Sequence, residues 1–160
     1  MPWTPLNFGK HEGKTLPQVA LTDPDWLFWA CDEGVFSKFP ALQHEADEVY
    51  RRAISICIPQ TGNEELVAEY AVCLGLGGPL GKFTGIEVVP VSRPAHQGYT
   101  RTLRLPVFNL AVPRRIHPYD KSGGRQLVKT LKFYLFGDSN CRLTKQLCEE
   151  FFEDDSNFVL

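Results

Sequence analysis

Close pairs of metal-binding or disulfide-forming side chains are missing from this chain. Its five cysteines, Cys31, Cys57, Cys73, Cys141 and Cys148, are odd in number and dispersed, with no Cys-x-x-Cys pair. A secreted disulfide framework calls for an even set, and a zinc site calls for ligands in close pairs, which His11, His44, His96 and His117 do not supply either. Scattered thiols at apolar positions read instead as small core residues in a reducing compartment. The sequence therefore predicts no metal and no cofactor. No apolar run approaches the length of a membrane span. The opening Met1-Pro2-Trp3-Thr4-Pro5 lacks the charged start and apolar stretch of a signal peptide, so a cytoplasmic protein without membrane association is expected. Catalytic pairings are equally scarce: no cysteine has a histidine in its sequence context, Asp23/Asp25 reads as a helix cap and Asp154/Asp155 as a solvated tail.

Over 160 residues the chain is 43% hydrophobic and 22% charged, the composition of a globular protein long enough for one domain, or for two small units sharing a core. Its net charge of −2 conceals segregation. Residues 17 to 69 hold ten acidic side chains against Lys38, Arg51 and Arg52, whereas 93 to 132 hold nine basic ones against Asp120. The C-terminus turns acidic again with Glu149, Glu150, Glu153, Asp154 and Asp155. Such asymmetry points to an electrostatic partner, with internal pairing of the two segments as the alternative.

The richest stretch is Phe8-Gly9-Lys10-His11-Glu12-Gly13-Lys14-Thr15-Leu16, followed by Asp23-Pro24-Asp25-Trp26-Leu27-Phe28-Trp29. Two glycines four apart punctuate two lysines four apart, so a tight turn presents cations and bare amides together, with aromatic rings behind. Lys10, His11 and Lys14 are thus candidate phosphate contacts, while Trp26, Leu27 and Trp29 read as core anchors of the following helix.

The same residues resemble the C-terminal module of exodeoxyribonuclease X-like proteins, and a bacterial and phage family described as quorum-sensing-regulated virulence factors. The likeness covers residues 6 to 60. In exodeoxyribonuclease X-like proteins the module accompanies a catalytic domain whose acidic signature is an Asp-x-Glu on a strand, a pattern that these 160 residues do not contain. The resemblance implies an accessory role in engaging nucleic acid, in a phage- or mobile-element-encoded protein, and carries no reaction with it. A metal-dependent nuclease is the enzymatic form it would suggest.

Along the chain, Phe8 to Leu16 predicts a short hairpin, and Asp23 or Asp25 a cap for a helix through Ala30. Pro40 opens an amphipathic helix with Leu42, Ala46, Val49, Ala53 and Cys57 on one side. Thr61-Gly62-Asn63-Glu64 has capping-box form, and Leu66, Val67, Tyr70, Ala71 and Leu74 continue as a helical stripe. Gly75 to Lys82 fits neither a dinucleotide fingerprint nor a Walker loop and reads as an exposed connector. The period then changes to two: strands are expected over 86–91, 99–105 and 107–112. Gly123-Gly124 opens a helix that buries Leu127, Leu131 and Leu135, and Thr144 caps a last one.

The second constellation is Pro113 to Arg125. Arg114, Arg115, His117 and Lys121 on a proline- and glycine-fixed loop can meet phosphates, and Tyr119 can stack on a base. Arg125, Lys129 and Lys132 extend the basic face along the helix, and the Gly-Gly amides offer an anion site at its positive end. The expectation is an α+β protein. A helical module with a small β-hairpin (1–74) precedes a β-rich segment closed by two C-terminal helices (83–160), the two sharing one core or folding apart. The expected function is non-catalytic binding of DNA or RNA. The competing reading is a protein-interaction module, an inhibitor or adaptor of a host protein.

Overall fold

The fold is α+β, and the computed structural model describes residues 2–73, 81–95 and 100–160. The expected connector at 76–82 lies mostly outside the described residues, as do His96 and Tyr99. At the N-terminus, the Leu6 amide donates to the Lys14 carbonyl (2.9 Å) and the Gly13 amide to the Leu6 carbonyl (2.8 Å). Gly9 and Gly13 close this loop at φ 71° and 85°, the left-handed region where a side chain is strained. The predicted hairpin is therefore a hydrogen-bonded loop: it closes at one point and has no strand ladder.

Three helices follow: α1 (Leu16–Thr22), α2 (Pro24–Asp32) and α3 (Pro40–Ala53). Pro24 cannot continue α1 but suits the first turn of α2, so Asp23 ends one helix and caps the next through the Trp26 amide. Helix α1 has no counterpart among the elements expected from the sequence. Helix α3 buries Leu42, Ala46, Val49 and Ala53 as expected, yet it stops at Ala53. Cys57, assigned to its stripe, belongs instead to the two-residue strand β1 (Ile56–Cys57).

The predicted helix after Thr61 does not form. Leu66–Cys73 is strand β2, flanked by β3 (Lys82–Pro90) and β4 (Thr100–Leu105) in an antiparallel sheet ordered β3-β2-β4. The Glu64 carboxylate accepts from the Ser92 amide (2.9 Å) rather than capping residue 61. Strand alternation puts Ala68, Tyr70 and Val72 on one buried face. There the Tyr70 hydroxyl donates to the Val107 carbonyl (3.0 Å) and accepts from the Asn109 amide (2.8 Å). On the other face Glu69 meets Arg104, its cross-strand partner, at 2.7 Å. The apolar spacing fits a helix as well as a strand, and pairing on both edges decides for the strand.

Of the expected strand over 107–112 only β5 (Val107–Phe108) forms, pairing with β1, before the short helix α4 (Val112–Ile116). Helix α5 (Lys121–Phe136) packs on β3 and α2, buries Leu127 and Leu131, and ends at Gly137 in the left-handed conformation. Helix α6 (Lys145–Glu153) is capped by Thr144 and lies against α1. One continuous cluster of buried side chains contains Leu6 and Val19 from the start of the chain together with Tyr70, Phe108, Leu127 and Phe152. This shared core sets α2, the α4–α5 loop and α5 side by side.

Candidate nucleic-acid interface

The Phe8-to-Trp29 motif folds inward upon Asp23. His11 Nε2 lies 3.0 Å from Asp23 Oδ2, and Lys10 Nζ lies 2.9 Å from the same oxygen. Lys14 Nζ sits 3.4 Å from His11 Nδ1. An ammonium can only donate, so Nδ1 accepts, Nε2 carries the proton, and the imidazole is neutral. Burial lowers the His11 pKa, helped by the Lys14 and Lys10 charges and opposed by Asp23. Burial pushes the Asp23 pKa up, but donation from Lys10, His11 and the Trp26 amide outweighs it and leaves the net shift downward. The His11 ring also meets Trp26 edge-on at 4.9 Å. His11 and Lys14 therefore fasten the loop to the cap of α2. His11 is buried and unavailable as a phosphate contact, and the half-buried Lys14 is committed to the ring.

The second constellation divides. Arg114 turns inward, with Nη1 3.5 Å from Asp25 and Nε 3.5 Å from Asp32, and its guanidinium lies 5.0 Å from the Tyr119 ring centre. It is an internal tie between the basic and acidic segments. Arg115, one residue on, is exposed and donates to the Tyr50 hydroxyl at 2.9 Å. His117 is half-buried, and its enclosed Nδ1 has no hydrogen-bond partner among the described residues. The anion site expected at Gly123-Gly124 is filled from within: buried Asp120 caps α5, its Oδ1 accepting from the Gly123 amide at 2.9 Å and its carbonyl from the Gly124 amide at 3.0 Å. A Cβ at Gly123 would overlap that carboxylate, and one at Gly124 would stand 3.2 Å from Pro24. The two glycines serve close packing, and no amide there is left for a ligand.

Lys10, Tyr119, Lys121, Arg125, Lys129 and Lys132 remain, and the fold brings them together. Lys10 and Lys121 flank a cleft of about 310 Å³ whose other lining residues are Asp25, Trp26, Trp29 and Tyr119. Donation to Asp23 raises the Lys10 pKa, against burial and the nearby positive charge of Arg125. Tyr119 is 64% exposed at φ 60°, a strained backbone for a bulky residue, which holds its ring out over the cleft rim with Arg114 against it. One turn along α5, Arg125, Lys129 and Lys132 enter a groove of about 500 Å³ shared with Thr22, Ser139, Asn140 and Arg142. Among the described residues, Lys121, Arg125, Lys129, Lys132 and Arg142 form no ion pair.

The lining residues Trp26, Trp29, Asp25 and Arg142 were not among the expected contacts. The three-residue spacing of the tryptophans marks a shared helix face, but nothing local marks that face as open. Compared with known proteins, the chain matches no family model, no curated protein and no solved structure. No helix among the described residues is long and apolar enough to cross a membrane.

Proposed function

We propose that this protein binds single-stranded nucleic acid, with the phosphates on α5 and a base in the aromatic cleft. The observation that carries the reading is the row of cations with no ion-pair partner among the described residues, which leads directly into a cleft walled by Trp26, Trp29 and Tyr119. Lys121, Arg125, Lys129 and Lys132 recur at intervals of four, four and three, so they share one face of α5 and extend over about 16 Å at 1.5 Å per residue. A cationic track beside exposed rings is the equipment of sequence-tolerant strand binding, because every base has a face to stack. A base reaches those rings only when unstacked, which favours single strands over duplex. The accessory role implied by the exodeoxyribonuclease X resemblance agrees in kind, although the contact surface proposed here is a different one from the turn.

Titration of the purified protein with single- and double-stranded DNA and RNA at several salt concentrations tests the proposal. Four phosphates on a single strand give a slope of log affinity against log salt near −3, at about 0.7 per phosphate. Preference for duplex, or a slope near zero, would overturn the reading. Absence of binding at low salt would turn attention to a protein partner.

A further inference from the structure

We infer that the aromatic cleft holds the phosphorylated end of a strand, a phosphate monoester on the terminal nucleotide, an inference that rests on the single-strand reading above. The first ground is where the cations stop. The α5 row runs from Lys132 through Lys129 and Arg125 to Lys121, and at Lys121 the groove gives way to the cleft of Lys10, Trp26, Trp29 and Tyr119. Along α2 beyond the tryptophans, the sign of the surface reverses. Asp32 stands three residues after Trp29 and Glu33 seven after Trp26, so both continue the tryptophan face at the next turn. The Asp32 side chain is 52% exposed, and Glu33 is exposed. Burial, and then the charges of Asp32 and Asp47, push the Cys31 thiol up to about 12, so α3 brings a further carboxylate to that end. Arg114 is spent between Asp25 and Asp32, and Arg115 offers a single cation against Asp32, Glu33 and Asp47. A strand that follows α5 into the cleft meets like charge if its phosphates continue past Trp29, and a strand that ends there does not.

The second ground is the charge gathered at that end. Lys10 and Lys121 face one cleft, and Arg125 is near enough for its positive charge to act on Lys10. The neighbouring acids are turned inward: Asp23 and Asp25 are each 4% exposed, the first held by His11, Lys10 and the Trp26 amide, the second by Arg114. Lys121 is exposed and forms no ion pair among the described residues. The Lys10 side chain is 43% exposed, and of the three donors of its ammonium Asp23 takes one. Two ammonium groups with donors to spare suit a dianion. A phosphodiester within a strand carries a single negative charge, whereas a phosphate monoester carries about 1.5 to 2 at pH 7 and has three strong acceptor oxygens. The monoester therefore gains more from this pair of lysines than an internal phosphate does. Trp26, Trp29 and Tyr119, beside the lysines, give the terminal base its stacking surface, and a terminal base leaves its stack most easily because it has a neighbour on one side only.

The test compares four oligothymidylates of one length, followed by tryptophan fluorescence on the unaltered protein: a closed circle, a linear strand with hydroxyl ends, and linear strands with a 5′-phosphate or a 3′-phosphate. A further charge-assisted contact should make a phosphorylated strand bind about tenfold more tightly than the hydroxyl-ended one, and the circle should bind no better than the latter. The two phosphate positions tell which end of the strand enters. Lys10→Ala, checked for folding by circular dichroism, should lose this preference; if it fails to fold, Lys121→Ala serves in its place. The double substitution Lys129→Ala, Lys132→Ala should weaken binding of all four forms and keep the preference. Equal affinity for the circle and the three linear forms overturns the end inference while the single-strand reading stands. Failure to bind any of the four overturns both. A folded cleft variant that keeps the preference, or a groove variant that loses it, puts the monoester outside the cleft and overturns the end inference as well.

Discussion

Replacing Asp23 by alanine tests whether the Phe8-to-Trp29 motif is a fastening. The substitution removes the acceptor of the buried His11 Nε2–H, the anion beside Lys10 and the side-chain cap on the Trp26 amide. An orphaned buried donor costs about 1–3 kcal/mol, and a lost cap about 1 kcal/mol. The Lys10 side chain is 43% exposed, so its share stays within the range of a surface pair, about 0–1 kcal/mol. A total near 3 kcal/mol follows, a drop in Tm of roughly 6–12 °C for a chain of this size. Thermal unfolding followed by circular dichroism reads it directly, with Lys10→Ala as the control that should move Tm little. A drop below about 2 °C for Asp23→Ala would show that the loop holds its shape without this carboxylate, and the account of His11 and Lys14 as fasteners would fail.

The pH dependence adds a second reading of the same site. The His11 pKa is lowered from 6.5, so the unfolded chain takes up a proton there first, and stability falls as pH drops through 6.5 toward the native value. The Asp23 pKa is lowered from 3.8, so its contribution is complete above 3.8 and lost as pH falls through its native value. Both act in one direction: the unaltered protein should lose Tm steadily below neutrality. Asp23→Ala should show a shallower acid limb below pH 3.8, the remainder coming from carboxylates such as Glu48, which Arg51 and Arg52 hold below its ordinary range. A Tm that rises between pH 7 and 5 would contradict the neutral, buried assignment of His11.

Sequence legibility follows how local each determinant is. The buried row of α3 lies within one element at a 3.6-residue period, and Thr144 caps α6 from three residues away, so both are readable without the fold. Strand β2 is not, because Leu66, Val67, Tyr70 and Ala71 suit either period and the partners that decide arrive from 82–90 and 100–105. The motif at Phe8 was visible as a unit, but the direction in which its charges face depends on Asp23, nine residues past Lys14. Arg114 and Arg115 are adjacent and chemically alike, yet about 100° of helical rotation sends one to Asp25 and the other to solvent. The α5 row was legible from its spacing. Its junction with Lys10 in one cleft is a tertiary fact, joining residues more than a hundred positions apart.

Four variants separate these roles. Arg114→Ala should destabilise by about 3 kcal/mol, because it leaves the buried Asp25 carboxylate unpaired, whereas Arg115→Ala should stay within about 0.5 kcal/mol; urea unfolding distinguishes them. Gly123→Ala should cost more than the 1 kcal/mol or so of a lost cap, since its methyl displaces the Asp120 carboxylate from the start of α5; Tm measures this. The double substitution Lys129→Ala, Lys132→Ala bears on binding alone. Lys129 is exposed, Lys132 half-buried, and neither has an ion-pair partner among the described residues, so unfolding should shift by no more than about 1 kcal/mol for the pair. Removing two phosphate contacts from a single strand should flatten the salt slope by about 1.4, and do so for every sequence alike, because phosphate contacts carry no base identity. Overall affinity should therefore fall by the same factor for strands of different sequence. An unchanged slope would place the strand off the α5 track, and an affinity loss confined to some sequences would mean that the groove and the cleft act as one recognition site.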